Sequence, residues 1–167
     1  MRWDRLFADL EAGSDEVAAE ERDTLVAELT DEDWGATAWL RLLGGRVVLE
    51  VEGDHRVEGA LRSRGAEVLR IASAGHDVVV AVRRVVAVTA TGPRAVAPGR
   101  VASRLGWRHV FRQARDEGEE VEVRRGTERP LQVSVDVVGQ DFVRVRAASG
   151  ALTVVPFAAL TAVRLPH

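Results

Sequence analysis

The residues able to do chemistry are four histidines, one His-Asp pair, two carboxylate clusters and a run of arginines. His55, His76, His109 and His167 have no ligand spacing, and neither HExxH nor a Cys/His cluster occurs, so no metal or cofactor is expected. His76-Asp77 has the composition of a catalytic pair. Adjacent residues of a strand point to opposite faces, however, so it reads as a polar turn. Glu119-Glu120 and the acids from Asp31 to Asp33 sit at helix ends or turns, where carboxylates are ordinary. GxSxG, Walker A and GxGxxG are all absent, which leaves hydrolase, nucleotide and dinucleotide chemistry unsupported. The expectation is a protein that is not an enzyme and has no small-molecule substrate.

The arginines are a different matter, because phosphate contacts need charge and donors rather than a sequence code. Arg100, Arg104, Arg108, Arg112 and Arg115 recur at nearly helical spacing with no acid until Asp116. On a helix they cover an arc of about 120°, while Trp107, Val110, Phe111 and Ala114 cover another. Gly106 interrupts the pattern and leaves Trp107 to Arg115 as the secure part. Arg104, Arg108 and Arg112 are therefore candidate phosphate contacts, against the plainer reading of a solvated helix face. Near the start, Trp3, Leu6, Phe7 and Leu10 fall at i, i+3, i+4 and i+7, an amphipathic stripe that suits a partner's groove or a neighbouring surface. Trp34, Trp39, Trp107, Phe142 and Phe157 have core-type spacing and are expected to be buried.

Composition narrows the setting. The chain has 167 residues and no cysteine, so a disulfide framework and thiolate metal sites are excluded. No apolar run reaches the ~18 residues of a membrane span and no signal-peptide layout is present, so a cytoplasmic protein without membrane contact is expected. Lys, Asn and Tyr are missing and Ile71 is the single isoleucine, against a surplus of Val, Ala and Arg. Residues 1–33 hold twelve acids against three arginines, a balance of −9, whereas the rest hold fourteen against twenty, a balance of +6. An acidic arm and a basic body are separate parts.

The elements that would position these residues come in duplicate. Val47 to Val88 and Val121 to Val163 superpose at a constant offset as far as Gly75, after which the second copy carries one extra residue. The matching spacings Trp34 to Gly45 and Trp107 to Gly118 extend the repeat to a preceding helix. From Arg46 the apolar period changes to two, the mark of strands. Five short strands follow in each copy, the first set ending at Val85 to Thr89 after a single tight turn at Val82 to Arg84. Gly92, Pro93, Pro98 and Gly99 mark a linker between the copies. The resulting division is an acidic helical arm at 1–33, one unit at 34–91, and linker, helix and second unit at 92–167.

One helix, five strands and a valine-rich fourth strand joined by one turn to the fifth resemble the Sm/LSm-like fold. The fold class expected is mainly β (α+β): two tandem, small five-stranded Sm-like barrels, each preceded by a helix. The layout from Met1-Arg2-Trp3-Asp4 to Val155-Pro156-Phe157-Ala158-Ala159-Leu160 resembles an actinobacterial family often labelled as Fis-type transcriptional regulators. No helix-turn-helix pattern is found. The resemblance implies base-holding loops at Arg64-Gly65-Ala66-Glu67 and Gly139-Gln140-Asp141, and at Arg83-Arg84 and Phe157-Ala158-Ala159. Among these Arg83 alone matches the family's pattern, and the resemblance thereby makes Arg83 and its neighbour Arg84 further candidate phosphate contacts. The function expected is a non-enzymatic interaction and assembly scaffold, with a protein partner or self-association. The alternative is a nucleic-acid-associated regulator using the arginine-rich helix.

Overall fold

The computed structural model describes residues 38–53, 55–91 and 106–166. The acidic arm, residues 34–37 and the linker at 92–99 lie outside the described residues. The strands are β1 (Arg46–Val51), β2 (His55–Arg64), β3 (Val68–Ser73), β4 (His76–Ala81) and β5 (Val85–Thr91) in the first half. Helix α1 (Trp107–Glu117) then leads into β6 (Glu120–Arg124), β7 (Leu131–Val138), β8 (Phe142–Ala147), β9 (Leu152–Pro156) and β10 (Ala162–Leu165). All ten strands and the helix belong to one compact unit, Leu42–His167.

The strands form because branched and polar residues alternate. In β1, Val47, Leu49 and Val51 are buried while Arg46 and Glu50 face water. Both halves then repeat the same order, β5-β1-β2-β3-β4 and β10-β6-β7-β8-β9. The duplication extends to backbone irregularities. The register of β2 against β3 shifts between Leu61 and Ser63, and that of β7 against β8 between Val135 and Val137. Such bulges bend a strand and increase its twist. Gly65 N donates to Val68 O at 2.9 Å, and at the matching place Gly139 N donates to Phe142 O at 2.8 Å. Gly59 is required where β2 crosses β3, because a Cβ there would collide with the carbonyl of Ala72.

Two separate closed barrels were the expectation, and the structure corrects it: the ten strands form one open sheet. The reason lies in the fourth strand. Instead of returning to its own half, β4 pairs antiparallel with β10 of the second half, joining the two into a continuous ladder. The sheet changes sides at this seam. Val79 and Ala81 face the second core, with Val163, Leu165, Phe111 and Trp107. Val78 and Val80 point the other way, in register with Ile71 and Leu69 of β3. A strand covered on both faces reads as an unbroken apolar run, and this is why Val78, Val79, Val80 and Ala81 are consecutive and all buried.

Helix α1 buries Trp107, Val110, Phe111 and Ala114, the stripe that the spacing marks out. Phe111 is inaccessible and lies stacked on Phe157, with centroids 6.0 Å apart and planes 6° from parallel. Gly118, in the left-handed region, ends the helix, its N–H reaching the carbonyls of Ala114 and Arg115. Of the other expected core aromatics, Phe142 and Phe157 are half-buried. Trp39 is a correction, being 40% exposed. It lies on a four-residue 3-10 turn, Trp39–Leu42, which is too short to present an amphipathic stripe.

Candidate interaction site at the seam and the sheet edges

Two places have the geometry to bind something: the seam, where strands from both halves meet, and the two edges of the sheet. At the seam Val82 N donates to Glu67 O, so the alternation of an antiparallel ladder turns Asp77, Val79 and Ala81 outward toward β10. Ala81 N donates to Thr161 O at 3.0 Å. Thr161 is fully buried, and its hydroxyl accepts the Gly126 N–H at 2.7 Å while its own N–H reaches Arg124 O at 2.9 Å.

Arg83 and Arg84, candidate phosphate contacts, sit on the 3-10 turn Val82–Arg84 and reach across this seam. Arg83 donates to the carbonyl of Phe157 at 2.7 Å, and Arg84 to that of Ala158 at 3.1 Å. Arg84 is also paired with Glu52. The acceptors lie on the equivalent turn of the second half, Phe157–Ala159, so one copy's turn clasps the other's. Arg108 donates to Gln140 O at 3.1 Å, and Arg112 is exposed on the same helix. Arg104 lies outside the described residues, as do Arg100, Trp3, Leu6, Phe7 and Leu10. The structure therefore brings Arg83 and Arg84 together on one turn and places Arg108 and Arg112 on α1.

Further ties cross the seam. Asp77 is buried and takes a 2.6 Å hydrogen bond from Arg70 Nε, while Arg70 Nη1 lies 3.5 Å from Gln113 Oε1 on α1. His76 is on the opposite face, its Nδ1 2.9 Å from Ala74 O. The carboxylate of Glu67 occupies the place where a side chain on Gly106 would begin, at the start of α1. A negative charge there complements the helix dipole.

At the edges the situation is reversed. Phe157 N donates to Asp141 O and Ala147 N to Ala151 O, so Leu152 and Val154 turn their backbone groups away from β8. Their side chains are 49% and 56% exposed. On the other edge, among the described residues β5 pairs with β1 alone, and Val86 is 68% exposed. Pro156 occupies the position on β9 that Ala81 occupies on β4, and it has no N–H to give.

Thr161 and Arg124 were not singled out from the sequence, and Glu67 and Pro156 entered only as members of a loop and a closing motif that carry a family resemblance. Only Pro156 carried a legible signal, since proline within a strand marks an edge. Among the described residues no group of three or more His, Asp or Glu is placed to hold a metal ion. Among them, too, no helix is long and apolar enough to cross a membrane. No family model, curated protein or solved structure matches the chain.

Proposed function

We propose that this protein is a non-enzymatic interaction and assembly scaffold built from two tandem Sm-like modules. The strand order shared by the halves, their matching bulges and the one-turn link between fourth and fifth strands support the Sm-like reading. The scaffold reading is carried by one observation: the pairing made inside the chain between β4 and β10 has equivalents, β9 and β5, that are unpaired among the described residues and lie at the two ends of the sheet. An open edge is a template for another strand. A second copy supplies one, β9 of one molecule lying against β5 of the next, in a head-to-tail contact. This contact is weaker than the internal seam, because Pro156 lacks the N–H and Ala158-Ala159 lack the guanidiniums that Ala81 and Arg83-Arg84 contribute inside the chain. Assembly is accordingly reversible. The stripe Trp3, Leu6, Phe7 and Leu10 is the second proposed contact, for a protein partner.

The nucleic-acid reading is weakened because Arg83 and Arg84 are engaged with carbonyls and Glu52. Sedimentation velocity over a wide concentration range, with and without nuclease, separates the two. A mass that rises with concentration and ignores nuclease is expected. A monomer at every concentration, or a mass lost on nuclease treatment, overturns the proposal.

A further inference from the structure

A cleft of about 250 Å3 opens on the face of the seam opposite α1, with walls from both halves of the chain. Val51, Val57, Val78 and Ala162 give it apolar surface, and Arg56, Arg124 and Arg164 stand around it with His55, His76 and, as the single lining acid among the described residues, Glu58. Its size lies just below the usual range for small-molecule sites, which suits a compact ligand and not a polymer.

The charges in this cleft are unevenly spent. Glu122, only 13% exposed, serves two arginines at once: Arg124 at 2.9 Å and Arg164 at 3.8 Å. Arg56 lies 3.9 Å from Glu58. The contacts at 3.8 and 3.9 Å are ion pairs too long for hydrogen bonds, so the N–H groups of Arg56 and Arg164 are not committed to those carboxylates. Arg124 is held in place from two sides, by Glu122 and by the ring of His55, whose Nδ1 is 3.4 Å from Arg124 Nη1. Among the described residues, three guanidiniums against two carboxylates leave a positive surplus beside an apolar wall. A guanidinium fork matches the oxygens of a phosphate, and low polarity nearby strengthens the pairing.

We propose that this cleft binds a small phosphomonoester, with its phosphate between Arg56, Arg124 and Arg164 and its organic group against Val51, Val57 and Val78. The site depends on the seam: β2 and β4 supply one wall, β6 and β10 the other, so neither half contains it alone. It is independent of the assembly proposed above, since it uses neither sheet edge.

The test uses the full chain at constant ionic strength, titrated by calorimetry with inorganic phosphate and with phenyl phosphate, while the His55 and His76 ring signals are followed by NMR. Saturable binding that moves both rings is expected, phenyl phosphate binding more tightly than inorganic phosphate. Arg164→Gln should weaken both by roughly tenfold, the loss of one charge-assisted contact. Arg56→Gln, on an exposed side chain that the fold does not need, should act in the same direction. An adventitious ion only is the conclusion if binding fails to saturate, if phenyl phosphate has no advantage, or if both variants titrate like the parent protein. Any of these overturns the proposal, whatever the sedimentation result.

Discussion

β4 and β9 are the same strand in two copies of one unit, and they have opposite fates. β4 is covered on both faces and on its outer edge; β9 has an exposed edge, with Leu152 and Val154 in water. Part of the difference is apolar content, since Thr153 interrupts in β9 the run that Val78 continues in β4, although Val79 and Val154 match in the repeat. The rest comes from a few neighbouring residues. Ala81 keeps an N–H that Pro156 lacks, and Arg83-Arg84 can clasp a facing turn where Ala158-Ala159 cannot. A sheet is extended or ended by such details at its rim.

The comparison can be broken most directly at matched positions. Val79→Asp places an unpaired charge at a fully buried site and should cost about 3–5 kcal/mol or prevent folding, whereas Val154→Asp should stay within about 0.5 kcal/mol. Chemical denaturation of the two variants checks this, and equal losses would mean that β9 is covered in solution. Next in size is Arg70→Met, which removes one partner of buried Asp77. Because Arg70 is itself a third exposed, the loss should fall at about 2–3 kcal/mol in the same assay.

A gain is expected from making β9 resemble β4. Pro156→Ala with Ala158→Arg and Ala159→Arg restores the missing N–H and guanidiniums, and should tighten self-association by about tenfold in sedimentation equilibrium. The smallest effect concerns pH. Hydrogen bonds from Arg144, and then from Arg146, hold the Asp136 carboxyl below its usual range. A depressed folded pKa contributes stability above the unfolded value of about 3.9 and loses it as pH falls through the folded one. The melting-temperature gap between the parent protein and Asp136→Asn should therefore close below about pH 4.

Much of this was legible in order along the chain. The alternation at Val47, Leu49 and Val51 located β1, and the i, i+3, i+4, i+7 spacing of Trp107, Val110, Phe111 and Ala114 chose the buried face of α1. The site was less legible. Arg83 and Arg84 look like phosphate ligands in a sequence because a guanidinium's preference for anions is general, whereas the Phe157 and Ala158 carbonyls that receive them lie 74 residues away. Arg124 and Arg164 attracted no notice, since each is one polar residue in an alternating strand. Their surplus charge exists only where β6 and β10 meet β2 and β4.

By itself, then, the sequence determined a unit used twice, its strands, its turns and the faces that must leave water. These follow from local periodicity and turn chemistry, which act over a few residues. It also determined that β4 needs cover on both faces, because four consecutive apolar residues cannot all point one way. Only the tertiary structure decided what supplies that cover. Pairing β4 with β10 rather than closing each half into its own barrel is a choice between distant strands with similar hydrogen-bonding edges, and it rests on contacts at the rim that no local pattern encodes. That choice made the seam, left β5 and β9 open and gathered the arginines of the cleft.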